Sequence, residues 1–257
     1  AGSPVTFVNL DMEEYRDLHL TVAAFERVLT QPEFASVESG IVVQAYLPDS
    51  HEVARELCEF ARARVDRGGA GIKIRLVKGA NLAMETVEAE LHGWDAAPYP
   101  TKTDVDASYK TILDLMLDAR YDRSVRVGVA SHNLFDVAWA IGLRDELDRR
   151  GAAHRIDFEM LDGMVPAQAR AVAETVGGVL LYTPVVRPDD FTAAIAYLVR
   201  RLDENTGPEN YLRSVFEIAP GTPAFEREAS RFRTSVRSRH DVSTAPRRAS
   251  TERRPQS

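Results

Sequence analysis

The clearest indication of the fold class is the segment Gly71-Ile72-Lys73-Ile74-Arg75-Leu76-Val77-Lys78-Gly79-Ala80. Its aliphatic residues alternate with charged ones, which predicts a β-strand that ends just before a glycine. The alternation places Arg75 on the same strand face as Lys73. An inward guanidinium needs an anion or several acceptors, because an unpaired buried charge is costly. Two interpretations remain open: a ligand anion, or a structural ion pair with Asp11 or Glu159.

Strand-like runs of this kind recur along the chain and alternate with longer helical patterns. The predicted strands are residues 5–10, 41–46, 71–77, 125–130, 155–160 and 179–182. The predicted helices are residues 12–29, 51–65, 107–117, 134–149, 166–176 and 188–203. This alternation indicates an α/β protein with a parallel sheet. We expect a (β/α)8 TIM-type barrel with about six of its eight strand–helix units in this chain, and the other two upstream of residue 1.

Two features of the sequence exclude other classes of protein. No Gly-x-Gly-x-x-Gly or Walker-type loop follows a predicted strand, so a doubly wound nucleotide-binding fold is disfavoured. The formal net charge of −7 argues against general nucleic-acid binding, and the single Cys58 excludes an internal disulfide. The apolar content of 44% is that of an ordinary folded domain.

The charge is unevenly distributed, since residues 237–257 contain six arginines and only two acidic residues. This segment is rich in Arg, Ser, Thr and Pro and has few side chains to bury. We therefore expect the barrel domain to cover residues 1–236. A basic flexible linker or tail is expected over residues 237–257.

In a barrel of this type, chemistry gathers at the carboxyl ends of the strands. Polar residues occupy these positions here: Asn9, Asp11, Gln44, Arg75, Lys78, Ser131, His132, Asn133, Glu159 and Tyr182. One interpretation is a metal-dependent hydrolase with His132, Glu159 and Asp11 as ligands. The other interpretation gives His132 a hydrogen-bonding role, because the six histidines are scattered and the first strand has no His-x-His pair.

The last predicted helix carries the run Tyr197-Leu198-Val199-Arg200-Arg201-Leu202-Asp203-Glu204. At about 100° per residue, one side of this helix is apolar and consists of Ile195, Leu198, Val199 and Leu202. The opposite side carries Tyr197, Arg200, Arg201 and Glu204 and is either solvated or functional. In the functional interpretation, two guanidinium groups clamp a carboxylate, because a guanidinium fork matches carboxylate geometry.

Together these motifs resemble the proline dehydrogenase domain of bacterial bifunctional proline-utilisation flavoproteins. The resemblance runs in order from about Val5 to Phe216, through residues 9–14, 43–46, 74–80, 131–133, 158–164, 182–185 and 197–205. Such a domain is a distorted (β/α)8 barrel that binds FAD non-covalently. The resemblance implies an enzyme that oxidises L-proline to 1-pyrroline-5-carboxylate by hydride transfer to FAD, the first step of proline catabolism to glutamate.

The resemblance also implies roles for individual residues. Arg200 and Arg201 would clamp the proline carboxylate, and Asp11 would help to orient this clamp at the substrate site. The substrate pocket would be shaped by Tyr182 and Tyr197, with Leu161 packed on the proline ring. The flavin would be held by Gln44, Arg75, Lys78, Gly79, Ala80, His132, Asn133 and Glu204, and no metal is expected. A cation at Arg75 would stabilise electron density on the reduced flavin.

Partners and location follow from the same resemblance. It implies a quinone as the electron acceptor and an aldehyde dehydrogenase domain in the same parent polypeptide. The full-length protein would be an oligomer. It would be cytoplasmic, with peripheral contact with the inner face of the cell membrane.

Two departures from the family pattern keep an alternative open. Asn81 stands where the family has an aromatic residue beside the active site. The family's first strands, which carry a lysine that helps to bind the carboxylate, have no counterpart, so we expect a fragment with about strands three to eight. The alternative function is a non-catalytic truncated barrel that serves as an interaction or oligomerisation module, since an open barrel exposes two sheet edges.

Overall fold

Six parallel strands form one sheet, in the order in which they occur along the chain. The computed structural model describes residues 6–207 and 209–248, apart from the side chains of residues 202–206. The strands are β1 (Val8–Leu10), β2 (Ser39–Gln44), β3 (Ile72–Val77), β4 (Val125–Ala130), β5 (Ile156–Leu161) and β6 (Leu180–Tyr182). The predicted α/β class and the six predicted strands are confirmed. Strand β1 pairs with β2 and β6 pairs with β5, so the described part of the sheet has two edges.

Helices connect the strands. They are α1 (Leu18–Leu29), α2 (Ser50–Asp66), α3 (Leu82–His92), α4 (Lys102–Met116), α5 (Leu134–Asp148), α6 (Pro166–Val176), α7 (Phe191–Thr206) and α8 (Pro223–Ser238). Six of them agree with the sequence prediction, whereas α3 and α8 were not predicted. Helix α3 lies between β3 and α4, so the connection from β3 to β4 contains two helices.

The two faces of the sheet differ in polarity, because successive residues of a strand point to opposite sides. One face is apolar and packs against the helices, with a core that includes Ile41, Val43, Ile72, Ile74, Leu76, Val127, Val129, Phe158 and Met160. The other face is the barrel interior. There the register sets Lys73 beside Arg126 and Arg75 beside Gly128. The strand alternation thus separates an apolar core from a charged interior.

Gly128 leaves room for these interior charges. A Cβ at this position would lie 2.2 Å from Oε1 of Glu159 and 3.1 Å from Cε of Lys73. We therefore expect Gly128→Ala to lower the free energy of unfolding by about 1–3 kcal/mol, the usual effect of overpacking. Gly142→Ala is the matched control, because nothing lies within 4 Å of a Cβ on this helical glycine. Urea unfolding should show equal or higher stability for the control, and equal loss in both variants would contradict the steric explanation.

Part of the segment that is predicted to be a basic linker or tail packs against other residues of the chain. Helix α8 continues to Ser238, and Arg239 Nε lies 3.3 Å from Asp114 Oδ2 of α4. Arg248 is buried, with its guanidinium 5.1 Å from the ring centre of Tyr15 and 5.0 Å from that of Trp94. Arginine stems and guanidinium planes pack well on aromatic rings, so a basic composition did not preclude burial. Residues 249–257 lie outside the described residues.

The apolar side of α7 is partly exposed. Its residues Ile195, Leu198 and Val199 are between 41% and 54% exposed, although their spacing is typical of a buried helix face. Leu180 and Leu181 of the edge strand β6 are also exposed. Strand β6 and the helix that follows it in the chain therefore each carry exposed apolar residues in the described structure.

Candidate active site

A cavity of about 570 Å³ opens at the carboxyl ends of the strands. This volume is in the range of sites for small ligands and cofactors. Each strand end contributes to its wall, and α7 adds two side chains. The structure thereby brings together most of the predicted site residues: Asp11, Gln44, Arg75, Lys78, Gly79, Ala80, His132, Asn133, Leu161, Tyr182, Tyr197 and Arg201. Arg200 is not part of this wall, and the side chain of Glu204 lies outside the described residues.

Arg75 lies at the floor of the cavity between two carboxylates and an aromatic ring. Its Nε is 2.5 Å from Glu159 Oε2, and its Nη1 is 3.2 Å from Asp11 Oδ1. Its guanidinium carbon lies 4.8 Å from the ring centre of Tyr182. Burial raises the pKa of Tyr182 to about 12, so this phenol stays neutral at physiological pH. Both acidic partners that the sequence offered for Arg75 are therefore used, and the cation still faces the cavity.

A buried cluster of charges fixes Lys78 at the cavity wall. Its Nζ lies 2.5 Å from Asp106 Oδ1 and 2.6 Å from Asp136 Oδ2. The other oxygen of Asp136 is 3.1 Å from Nζ of Lys110, which is also buried. Burial alone would raise the pKa of Asp136, but the ammonium groups of Lys78 and Lys110 outweigh it and hold that pKa below its usual range. Lys78 is consequently held as a cation.

Lys102 is expected to lose its proton near pH 8. Burial and the Lys78 cation lower the pKa of Lys102, the bonded Asp106 carboxylate opposes both, and the resulting pKa is about 8. A free lysine has a pKa of about 10.4, so the unfolded chain binds more protons between about pH 8 and pH 10. The contribution of Lys102 to the free energy of unfolding should therefore rise with pH across this window. Urea titrations should show this rise as the difference between the native protein and Lys102→Met, because buried Cys58, with its pKa raised to about 12, acts in the opposite direction in both proteins.

Lys102→Arg is the control for this prediction. Arginine keeps its charge over the whole window, so this variant should also lose the rise while it retains a cation beside Asp106. A pH dependence like that of the native protein in both variants would assign the effect to another group.

Gln44 and Gly79 shape the wall between β2 and β3. Nε2 of Gln44 donates to the carbonyls of Met12 at 2.5 Å and Glu13 at 3.2 Å. Its Oε1 is buried and has no hydrogen-bond partner within the described residues. Gly79 has a φ of +125°, and a Cβ there would lie 2.5 Å from the ring of Tyr46. Only glycine satisfies both the backbone and the space at this turn.

His132 and Asn133 follow β4 and have different roles. Nε2 of His132 accepts a hydrogen bond from the backbone N–H of Leu161 at 3.2 Å, and its buried Nδ1 has no partner in the described structure. Burial lowers the pKa of His132, which favours the neutral ring. Oδ1 of Asn133 accepts from the N–H of Phe135 at 2.9 Å and caps α5. A capping role for Asn133 is thus present, and its predicted contact with a cofactor stays a prediction.

The two arginines of α7 are not equivalent. Arg201 lines the cavity, and its guanidinium carbon lies 4.4 Å from the ring centre of Tyr197. Its Nη1 is buried and has no hydrogen-bond partner among the described residues. Arg200 instead pairs with Glu13, at 3.1 Å between Nη2 and Oε2. Arg201 is therefore available to a ligand in the cavity, whereas Arg200 must first separate from Glu13.

Sequence reasoning missed several residues of this site. Asp106, Glu13 and Lys102 all line the cavity, and Asp136 holds Lys78 from behind it. The available signal was an acidic residue near the start of α4 and of α5, namely Asp106 and Asp136. Asn81, the departure from the family pattern, also lines the cavity and donates from Nδ2 to the Glu13 carbonyl at 2.6 Å. It begins α3 and links that helix to the loop after β1.

The metal-site interpretation finds no support in the geometry. Glu159 and Asp11 both contact Arg75, and His132 accepts a backbone hydrogen bond. Among the side chains that the structure describes, no three from His, Cys, Asp or Glu are grouped to hold a metal ion. In the described part of the chain, no helix combines the length and apolar character needed to cross a bilayer.

A sequence model of the family described as proline dehydrogenase matches residues 1–214. The chain belongs to the proline dehydrogenase family. This assignment agrees with the motifs at the strand ends and on α7, which are the parts of the chain that form the cavity.

Solved structures and relatives that are similar to this chain agree with the family assignment. Proline utilization A (PutA) from Corynebacterium freiburgense is 50% identical, with a TM-score of 0.82 over 99% of this chain and 24% of its own. PutA from Bdellovibrio bacteriovorus, inactivated by N-propargylglycine, is 33% identical, with a TM-score of 0.77 over 98% of this chain and 24% of its own. Human mitochondrial proline dehydrogenase 1 is 31% identical over 63% of this chain and 26% of its own length.

These comparisons confirm the fold class, since the six-stranded parallel sheet superposes on the barrel domain of PutA proteins. The chain spans about a quarter of the length of the PutA structures and of the human relative.

Proposed function

We propose that this chain oxidises L-proline to 1-pyrroline-5-carboxylate by hydride transfer to FAD, the first step of proline catabolism to glutamate. The observation that carries the proposal is the cavity of a proline dehydrogenase family member in which Arg75, Tyr182 and Arg201 meet. The cation of Arg75 on β3 and that of Arg201 on α7 both face the cavity. Two such cations suit a site that binds an anionic substrate and a cofactor that gains electrons.

The residues that line the cavity fit a flavin. Several buried polar atoms in its wall lack a hydrogen-bond partner in the described structure, and two of them are Oε1 of Gln44 and Nδ1 of His132. Buried polar atoms are rarely left unpaired, so these two indicate a ligand that offers polar groups. Gln44, Lys78, His132 and the backbone at Gly79 would hold the cofactor, and FAD would accept the hydride. Arg75 would face its reactive portion and stabilise the negative charge that develops there.

Substrate binding is assigned to α7. The carboxylate of proline would take the fork of Arg201 first, because this guanidinium already faces the cavity. Arg200 would complete the clamp after exchanging the Glu13 carboxylate for that of the substrate. Tyr182, Tyr197 and Leu161 would enclose the ring and exclude water from the reacting carbon. Asp11, through its contact with Arg75, would help to orient the groups around the substrate.

The wider setting of the reaction is proposed from the likeness to PutA proteins. A quinone would reoxidise the cofactor, which requires peripheral contact of a cytoplasmic protein with the inner face of the membrane. An aldehyde dehydrogenase domain in the same polypeptide would consume the product. The full-length protein would be an oligomer.

A second candidate function rests on the two sheet edges. Exposed apolar residues on β6 and α7 favour a non-catalytic module that associates with another protein. Size-exclusion chromatography with detection of flavin absorbance separates the two proposals, because a well-behaved monomer or a defined oligomer without flavin would support the module.

The visible absorption spectrum of the complete protein tests the proposed function. We expect a bound flavin whose absorption is bleached by L-proline under anaerobic conditions and is unchanged by glycine. A protein without flavin, or a flavin that L-proline does not bleach, would contradict the proposal.

A further inference from the structure

A line of alternating charges runs through the barrel interior and ends at the cavity. We call it the charge line, and its members are Asp157, Lys73, Glu159, Arg75 and Asp11. Nζ of Lys73 lies 2.9 Å from Asp157 and 2.6 Å from Glu159. Arg75 continues the line with 2.5 Å to Glu159 and 3.2 Å to Asp11. Every ion pair in the line joins opposite charges, and the pairs between β3 and β5 cross the intervening strand β4 beside Gly128.

The middle of the charge line is hidden from the cavity. The side chains of Glu159 and Lys73 are 0% and 6% exposed, and neither lines the cavity wall, whereas Arg75 does. Gly128 makes this burial possible, because a Cβ there would strike Glu159. Glu159 and Lys73 can therefore influence a ligand only through Arg75 and through their electric field.

Stability alone does not account for such a line. Two buried charges cost more to desolvate than a well-packed apolar pair, and replacing a buried ion pair with apolar residues is often neutral or stabilising. A fold that only needed a filled interior would be served by the branched aliphatic residues that fill other barrels. The charge line instead holds the guanidinium of Arg75 against the ring of Tyr182.

We propose that Glu159 and Lys73 are positioning residues that fix the orientation and the effective charge of Arg75 toward the bound flavin. This inference rests on the proposed function. The carboxylate of Glu159 partly neutralises Arg75, and the ammonium of Lys73 partly neutralises Glu159. Removing the charge of Glu159 therefore makes the cavity floor more positive, and removing that of Lys73 makes it more negative.

The test is the reduction potential of the flavin in two variants of the complete, FAD-loaded protein. Reduction adds electrons to the flavin, so a more positive floor favours the reduced form. We expect Glu159→Gln to raise the potential and Lys73→Met to lower it, each by a several-fold change in the reduction equilibrium. Purely structural roles would not give shifts of opposite sign.

Two further variants keep the test decisive. Arg126→Met removes a cation that pairs with Asp157 and Glu38 at the outer end of the charge line, and it should leave the potential nearly unchanged because its side chain is 39% exposed and solvent screens it. The double variant Glu159→Gln/Lys73→Met removes both buried charges, so it should fold even where Lys73→Met alone does not, and its potential should lie below that of Glu159→Gln.

Three results would overturn the inference: shifts of the same sign in the two single variants, no shift in either, or a double variant at or above Glu159→Gln. The native protein separates this inference from the proposed function. If L-proline fails to bleach the native flavin, the proposed function is wrong. If the native flavin is bleached but the potentials do not diverge, only the charge line is misassigned.

Discussion

The Arg201→Met variant of the complete, flavin-loaded enzyme should lose about a thousandfold in kcat/KM for L-proline and keep its flavin. Arg201 faces the cavity, stacks on Tyr197 and has a buried guanidinium nitrogen without a partner in the described structure. A carboxylate would pair with that fork. Truncating one member of a buried charge pair costs about 4 kcal/mol, which corresponds to this loss.

Arg200 provides the matched comparison. Arg200 must exchange its ion pair with Glu13 for one with the substrate, so its net contribution to substrate binding is smaller. We therefore expect Arg200→Met to lose only about tenfold in kcat/KM. Arg201→Lys keeps the charge without the fork and should fall between Arg201→Met and the native enzyme. With both arginines replaced by Met, turnover should cease while flavin absorption remains. Steady-state kinetics would contradict the clamp if Arg201→Met behaved like the native enzyme.

Arg155→Met should lower the free energy of unfolding by about 3–5 kcal/mol. Arg155 is 0% exposed and donates to the carbonyls of Val125 at 2.8 Å and Met116 at 2.5 Å, in addition to its ion pair with Asp122. It thus joins the end of α4 to the start of β4 and β5. Methionine fills the space but leaves these carbonyls without a donor.

Arg150→Met is the control for Arg155, because both arginines contact Asp122. Arg150 donates to the Leu117 carbonyl at 2.8 Å, but its side chain is 40% exposed. Water can therefore take over its hydrogen bonds when the side chain is removed. Its loss should cost at most about 1 kcal/mol. Denaturant unfolding of the two variants would refute the buried-hub explanation if they were equally stable.

The strands were predictable because a strand is a local pattern. Alternating aliphatic residues identified all six, and 125–130 agreed at both ends. Helices α3 and α8 lacked such a signal. The apolar residues of α3, such as Leu82 and Leu91, are exposed, while the buried positions of α8 include Glu228 and Ser235. The sequence signal for α8 was limited to its start, where Thr222 is the N-cap and Pro223 is the first helical residue.

The parallel α/β sheet, the polar residues at its strand ends and the family motifs were predictable from the sequence, because they follow from residue periodicity and from short contiguous runs. The three-dimensional structure was needed to show that Arg75 is shared by Asp11 and Glu159, and that Asp106 and Asp136 hold Lys78. It alone separated Arg201 from Arg200. The reason is physical: an ion pair forms between residues far apart in the chain, so its partner depends on how strands align and helices pack.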